Sequence, residues 1–161
     1  MQETANYKTE LEKNGAIAFV PRGNSMWPII KNHKQSVIIR KKELSERLKP
    51  LDVAFYLRKN GAFVLHRVIS LTEQGYVMCG DSQYALEQVE EGQVFGVLEG
   101  FYKGKKYVKA TDTKYIKKVK KWYSRKFLRK LRLKCFYLRN RIINKLKRTF
   151  GGKRKNGEEN V

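Results

Sequence analysis

The distribution of charge divides this chain more sharply than any other feature of its sequence. Residues 114–155 contain 19 Lys or Arg and no Asp or Glu, whereas residues 1–113 contain 17 basic and 13 acidic side chains. Charge at this density determines partners and encounter rather than fold. The break near residues 111–113 therefore separates a near-neutral domain from a cationic tail, and a chain of 161 residues has room for one ordinary hydrophobic core.

Short apolar stretches, punctuated by Gly, Pro, Asn and Asp, predict a mainly β domain over residues 15–112. The predicted strands are residues 16–20, 36–40, 52–57, 62–70, 76–79, 94–101 and 106–109. Asn60-Gly61 is a strong two-residue hairpin signal, so the third and fourth strands should pair antiparallel. A short helical turn is expected over residues 41–48, before Pro50.

The tail, residues 113–155, shows a helical repeat of apolar residues separated by Lys and Arg. The repeat comprises Val119, Trp122 or Tyr123, Leu128, Leu131, Cys135, Leu138, Ile142 and Leu146. It predicts a basic amphipathic helix that ends at Gly151-Gly152, followed by a disordered terminus at residues 156–161. Neither the polar N-terminal segment, residues 1–14, nor any later stretch predicts secretion or membrane spanning. The two distant cysteines, Cys79 and Cys135, suggest reduced thiols in a cytosolic protein.

Four short motifs occur in a fixed order along the predicted β domain. They are residues 23–28 (GNSMWP), 50–53 (PLDV), 66–69 (HRVI) and 80–82 (GDS). Taken alone, the first is a turn and its Ser is structural. In this order they resemble the boxes of the serine peptidase superfamily that includes signal peptidase I and the LexA-like regulators, over residues 16–101. The resemblance implies a coiled β-ribbon fold with a C-terminal basic amphipathic helix added to it.

The resemblance also implies the residues of an active site. Ser25 corresponds to the nucleophile, and His66, followed by Arg, corresponds to the general base of the superfamily's His type. Asp81 corresponds to a carboxylate that orients the base, although an Asp after Gly80 also caps turns.

Further positions around the nucleophile follow from the same resemblance. The superfamily uses the N–H of the nucleophile for the oxyanion, in a turn that here comprises Gly23, Asn24 and Ser25, and the second donor stays unidentified because Gly23 has no hydroxyl. Met26 and Pro28 are expected to shape the turn and the substrate groove. Two departures concern turns rather than reactive groups: residues 31–35 lack the usual Gly-Asp, and Leu51 replaces a Gly.

The chemistry explains why a Ser needs such a partner. A Ser hydroxyl is a poor nucleophile near neutral pH and must lose its proton to a base within hydrogen-bond reach. A His titrates in the useful range, and strand alternation puts His66 on the face of Val64 and Val68, opposite Arg67. A core histidine satisfied by a backbone carbonyl is the alternative interpretation of His66.

The resemblance implies a serine endopeptidase that cleaves a peptide or precursor protein through a Ser-His dyad and an acyl-enzyme, in signal or leader peptide processing at the membrane. We expect neither a cofactor nor a metal. The alternative is a non-catalytic β-module that binds peptides or acts as a regulator, with its tail as the working part.

The tail offers three possible roles, and the sequence predicts no oligomeric state. A basic amphipathic helix over residues 114–150 can lie on an anionic membrane, which would hold a cytoplasmic enzyme peripherally at the inner membrane face. The same charges could bind nucleic acid, although fifteen polar residues before the domain cannot supply a helix-turn-helix. The helix could also simply be solvated and cover part of the β domain.

Overall fold

The computed structural model describes the backbone of residues 2–151 and the side chains of residues 7–125 and 128–146. The chain divides into two compact units, Met1–Lys121 and Trp122–Val161. The first unit contains the β-sheet and continues past the composition break at residues 111–113 into the basic segment.

Within the described residues the protein has eight strands and three α-helices. The strands are β1 (Ala16–Phe19), β2 (Val37–Lys41), β3 (Val53–Leu57), β4 (Phe63–Leu71), β5 (Gly75–Cys79), β6 (Glu87–Glu90), β7 (Val94–Lys103) and β8 (Lys106–Lys109). The helices are α1 (Gln2–Asn14), α2 (Thr113–Ser124) and α3 (Lys126–Gly151). The prediction of a mainly β domain is confirmed, and each of the seven predicted strands is present; β6 and α1 were not predicted.

The strands form one antiparallel sheet in the order β1-β2-β7-β3-β4-β5-β6, with β8 paired to β7. The long strand β7 pairs with β2 along one edge and with β3 along the other, so it connects the two halves of the sheet. Strand β4 lies between β3 and β5, with Ala54 opposite His66 and Cys79 opposite Arg67.

The main hydrophobic core covers one face of the sheet. Because side chains alternate along strands, opposite residues of β3, β4 and β5 meet on this face. The cluster comprises Leu48, Ala54, Tyr56, Val68, Tyr76, Met78, Val89, Val94 and Val97. Val89 brings β6 into the core through its buried side chain.

Helix α1 packs on the sheet through an aromatic cluster and one buried leucine. The Tyr7 ring lies 5.3 Å from the Phe19 ring and edge-on to Phe55 at 6.0 Å, and the rings of Phe55 and Phe63 stack at 5.1 Å. Leu11 is only 1% exposed. Few residues of this polar helix are apolar, so their periodicity alone did not predict it.

The β3–β4 hairpin is antiparallel, as predicted: the Arg58 N–H donates to the Ala62 carbonyl at 2.9 Å, and Gly61 has φ of 81°. Residues 41–48 form a single turn, closed by the Glu46 N–H donating to the Glu43 carbonyl at 3.1 Å, and no helix. Leu48, near the end of this segment, is buried in the hydrophobic core.

The tail is helical as predicted, in two segments separated at Arg125. The helix α3 reaches Gly151, the predicted stop. The predicted disordered terminus, residues 156–161, lies outside the described residues. Over residues 2–151, none of the helices combines the length and apolar character that crossing a bilayer requires.

A close backbone approach at Gly96 predicts a stability defect. A Cβ on Gly96 would lie 2.4 Å from Ile39 Cγ2 and 3.0 Å from the Arg40 carbonyl, so Gly96→Ala should destabilise the protein by about 1–3 kcal/mol in urea unfolding. Gly92→Ala is the matched control, because a Cβ there meets nothing within 4 Å. Equal stability of the two variants would contradict this packing of β2 against β7.

Candidate active site

Ser25 lies in a compact turn after β1. The Trp27 N–H donates to the Asn24 carbonyl at 3.0 Å, and the Ile30 N–H donates to the Met26 carbonyl at 2.9 Å. Met26 is 3% exposed, so its side chain anchors the turn in the protein interior, whereas Ser25 stays partly exposed. The small and polar residues 23–25 precede the apolar run 26–30, whose Met26, Ile29 and Ile30 side chains are buried and leave Ser25 partly exposed.

The turn is tied to the segment that follows β5. The Ser82 N–H donates to the Ser25 carbonyl at 2.8 Å, and Ser82 Oγ donates to the Asn24 carbonyl at 2.9 Å. A Cβ on Gly80 would lie 2.8 Å from the same Ser25 carbonyl, so a glycine is required at this approach. Two motifs that are far apart in sequence therefore form one backbone structure.

His66 precedes Arg67 on β4. Arg67 pairs with Cys79, the last residue of β5, so continuing the antiparallel register by one residue sets the backbone of His66 opposite Gly80. His66 is 3% exposed. Within the described residues no hydrogen bond joins Ser25 to His66. Nucleophile and base pairs of this kind are often loose without substrate and tighten when it binds.

The Nδ1 atom of His66 is occupied by a buried tyrosine. Tyr56 Oη lies 3.1 Å from Nδ1 and donates its proton to Glu87 Oε2 at 2.9 Å. A hydroxyl has one proton to give, so it can only accept from His66, which assigns the proton of the neutral imidazole to Nδ1. The Nε2 lone pair is left to accept a proton, as a general base requires.

Arg58 fixes the carboxylate at the end of this chain of hydrogen bonds. Its Nε and Nη2 atoms donate to Glu87 Oε1 and Oε2 at 2.7 and 2.6 Å. Glu87 Oε2 also lies 3.8 Å from His66 Nδ1. The sequence alone did not predict that Tyr56, Arg58 and Glu87 contact one another beside His66, because these contacts depend on the register between β3, β4 and β6.

The protonation states follow from burial and from these partners. Burial, aided by the Arg58 charge and opposed by that of Glu87, lowers the pKa of His66 to about 4. The hydrogen bond from Arg58 lowers the pKa of Glu87, and burial raises the pKa of Tyr56. At neutral pH the site therefore holds a neutral imidazole, a carboxylate and a protonated tyrosine.

Asp81 is bound by Arg67, and its charge also favours the protonated form of His66 by raising the pKa of the imidazole. Both of its oxygens accept from Arg67, with Nε to Oδ1 at 2.8 Å and Nη2 to Oδ2 at 2.7 Å, and both side chains are fully buried. Arg67 also donates to the Leu51 carbonyl at 2.7 Å and to Tyr115 Oη at 3.2 Å. Because Arg67 and His66 are neighbours on a strand, their side chains leave it on opposite faces. The carboxylate that approaches Nδ1 of His66 is that of Glu87.

The other predicted positions divide between backbone and groove. In the described part of the chain, the N–H groups of Ser25 and Met26 donate to no protein acceptor, so both are available to an oxyanion. Gly23 and Asn24 are exposed in the turn. Pro28 borders an open cleft beside the turn, whereas Met26 is part of the interior rather than of a groove.

Comparison with known proteins leaves this geometry as the principal guide to function. No family model matches the chain, and neither does any curated protein sequence.

The burial of His66 makes a pH prediction. An unfolded His has a pKa of about 6.5, so between pH 6.5 and 4 the unfolded chain binds more protons than the folded one. The free energy of unfolding should therefore fall as pH drops through this window, by on the order of 3 kcal/mol from His66. NMR titration of the imidazole, assigned by loss of its signal in His66→Gln and its retention in His33→Asn, should give a midpoint near 4. A midpoint at or above 6.5 would exclude the buried, neutral base.

Proposed function

We propose that this protein is a serine endopeptidase that cleaves a peptide or precursor protein through a Ser25–His66 dyad. The observation that carries the proposal is the backbone link between Ser25 and Ser82, which brings the Ser25 turn to Gly80, opposite a histidine with its Nδ1 occupied and its Nε2 free. Supporting this, the four motifs occur in the order of the signal peptidase and LexA-like superfamily. We extend the proposal to the fold, as a coiled β-ribbon of that type.

In the proposed reaction His66 Nε2 takes the hydroxyl proton of Ser25 as Oγ bonds to the carbonyl carbon of the scissile peptide. The N–H groups of Ser25 and Met26 stabilise the oxyanion. His66 then returns the proton to the leaving amine as the C–N bond breaks, which leaves an acyl-enzyme. Water, deprotonated by His66, hydrolyses the ester and regenerates Ser25.

The Glu87–Tyr56 pair supports this cycle through Nδ1. When His66 carries a second proton it becomes an imidazolium, whose charge the nearby Glu87 carboxylate favours. Asp81 has a structural role in the proposal, because its carboxylate is neutralised by Arg67.

Covalent labelling tests the nucleophile without a known substrate. A fluorophosphonate probe should label Ser25, located by mass mapping, and Ser25→Ala should abolish the adduct. His66→Gln should slow labelling by roughly 10²–10⁴-fold, because the hydroxyl loses its base. The labelling rate of Tyr56→Phe should lie between that of the wild type and that of Ser25→Ala, since His66 keeps Nε2 but loses its Nδ1 partner.

Two conservative variants control for general damage. Ser45→Ala removes an exposed hydroxyl, and His33→Asn alters a histidine in an exposed loop with φ of 55°, a conformation that Asn tolerates. Both should label at the wild-type rate. A folded wild-type protein that resists labelling, with anionic lipid present, would favour the non-catalytic peptide-binding module.

We also propose that helix α3 attaches the protein peripherally to an anionic membrane, at the cytoplasmic face of the inner membrane. The repeat at three- and four-residue steps leaves an apolar stripe on one face of α3, and its large residues stay 42% to 57% exposed. These residues are Leu128, Leu131, Leu138, Ile142 and Leu146. Lys and Arg beside the stripe each add on the order of 1 kcal/mol at an anionic surface.

Vesicle sedimentation separates the membrane from nucleic acid as a partner. The protein should bind phosphatidylglycerol-containing vesicles and not pure phosphatidylcholine, and Leu138→Ser should weaken binding by roughly tenfold because an apolar side chain no longer enters the bilayer. Tyr137→Ser is the control, since Tyr137 is similarly exposed but lies off the stripe. Steeply salt-dependent binding to duplex DNA without vesicle binding would reverse the assignment.

A further inference from the structure

An open cleft of about 530 Å³ lies directly beside the Ser25 turn. Trp27, Pro28 and Ile29 form one wall, so the cleft begins two residues after the proposed nucleophile. Two residues of chain span at most about 7 Å, so a polypeptide bound at Ser25 would enter the cleft within two or three residues.

Five lysines surround this cleft. They are Lys31, Lys103, Lys106, Lys114 and Lys118. Among the described residues none of their ammonium groups pairs with a carboxylate. Elsewhere in the same unit cations do find partners, as Lys42 does with Glu91 and Arg58 with Glu87. The cleft therefore carries an excess of positive charge with no direct ion pair among the described residues.

The lysines also act on one another. Burial lowers the pKa of Lys118, and the charges of Lys103 and Lys31 lower it further, opposed by the charge of Asp81. Repulsion of this kind is relieved when an anion binds among the cations.

The cleft floor is apolar, which restricts the anion. Trp27, Phe101, Val108 and Tyr115 contribute to it, and the rings of Phe101 and Tyr115 lie 5.6 Å apart. Five separate lysines present dispersed point charges, whereas the planar fork of arginine, which the cleft lining lacks, binds one compact anion bidentately. Several dispersed carboxylates on an apolar backbone fit this surface better, and an acidic polypeptide segment has that chemistry.

We propose that this cleft binds an acidic segment of the polypeptide substrate, with Glu or Asp next to apolar residues, adjacent to the bond that Ser25 attacks. The inference rests on the proposed peptidase function for the position of the scissile bond. It assigns the substrate class that neither the motifs nor the dyad specify.

Peptide binding to the full-length Ser25→Ala protein tests the cleft apart from catalysis. Fluorescence anisotropy at about 0.15 M salt, where long-range attraction is screened, would compare a Glu/Leu peptide with its Gln/Leu counterpart. The triple variant Lys103→Gln, Lys106→Gln, Lys118→Gln should weaken binding of the acidic peptide by about tenfold, since each lost ion pair contributes modestly. The Gln/Leu peptide should bind weakly to both proteins.

A charge-matched control guards against non-specific attraction to this basic chain. Lys13→Gln, Lys49→Gln, Lys59→Gln removes the same charge from exposed sites outside the cleft and should change the Kd less than about threefold. Circular dichroism establishes that both triples fold. Equal weakening by the two triples, or equal affinity for the two peptides, would overturn the proposal. So would a cleft triple that loses binding to phosphatidylglycerol vesicles but keeps the acidic peptide.

The two proposals can fail separately. If the cleft triple loses acidic-peptide binding but the wild-type protein does not label at Ser25, the cleft proposal stands and the peptidase proposal is rejected. If Ser25 is labelled but the protein binds the two peptides equally, the peptidase proposal stands and the cleft proposal is rejected.

Discussion

The buried ion pair between Arg67 and Asp81 connects the parts of the structure on which the site depends. Arg67 is fully buried, pairs with both oxygens of Asp81 and binds the Leu51 carbonyl and Tyr115. Asp81 lies in the segment whose next residue, Ser82, holds the Ser25 turn through two hydrogen bonds. Such a pair adds little net stability over apolar packing, but losing one member leaves an uncompensated buried charge, at a cost of about 3–5 kcal/mol. Its value here is geometric, because it fixes where the Ser25 turn lies.

Alternation along β4 gives adjacent residues separate tasks. His66 faces Tyr56 and the main core, while Arg67 on the other face binds Asp81, whose neighbour Ser82 donates hydrogen bonds to the backbone of the Ser25 turn. The His-Arg sequence therefore combines a proposed reactive group with the residue that positions its partner. One residue of slippage in the register would exchange the two faces and destroy both arrangements, so the pairing of β4 with β3 and β5 is a functional constraint as well as a structural one.

The sequence was sufficient for features that are local or periodic. Strand alternation predicted the face of His66, and apolar spacing predicted the helical tail. The partners of His66 could not be predicted, because Glu87 lies in an unpredicted strand and reaches Tyr56 only through the pairing of β5 with β6. Motif order predicted that Asp81 lies near His66, but it could not show that Arg67 binds both oxygens of the Asp81 carboxylate. Helix α1 was missed because its packing depends on partners from β1, β3 and β4 rather than on its own pattern.

The two charges beside His66 favour different protonation states of the imidazole in the proposed reaction: Arg58 favours the neutral form and Glu87 favours the imidazolium. Burial and Arg58 keep the imidazole neutral, with a pKa of about 4, so Nε2 is free of a proton before attack but is a weak base. The imidazolium that forms afterwards would be costly in the same surroundings without Glu87, which lies 3.8 Å from Nδ1 and accepts from Tyr56. Arg58 opposes the imidazolium directly, yet it also keeps Glu87 ionised and in place. Arg58 therefore maintains the Glu87 carboxylate, and Glu87 in turn stabilises the His66 imidazolium. A bound substrate that excludes water would strengthen that stabilisation.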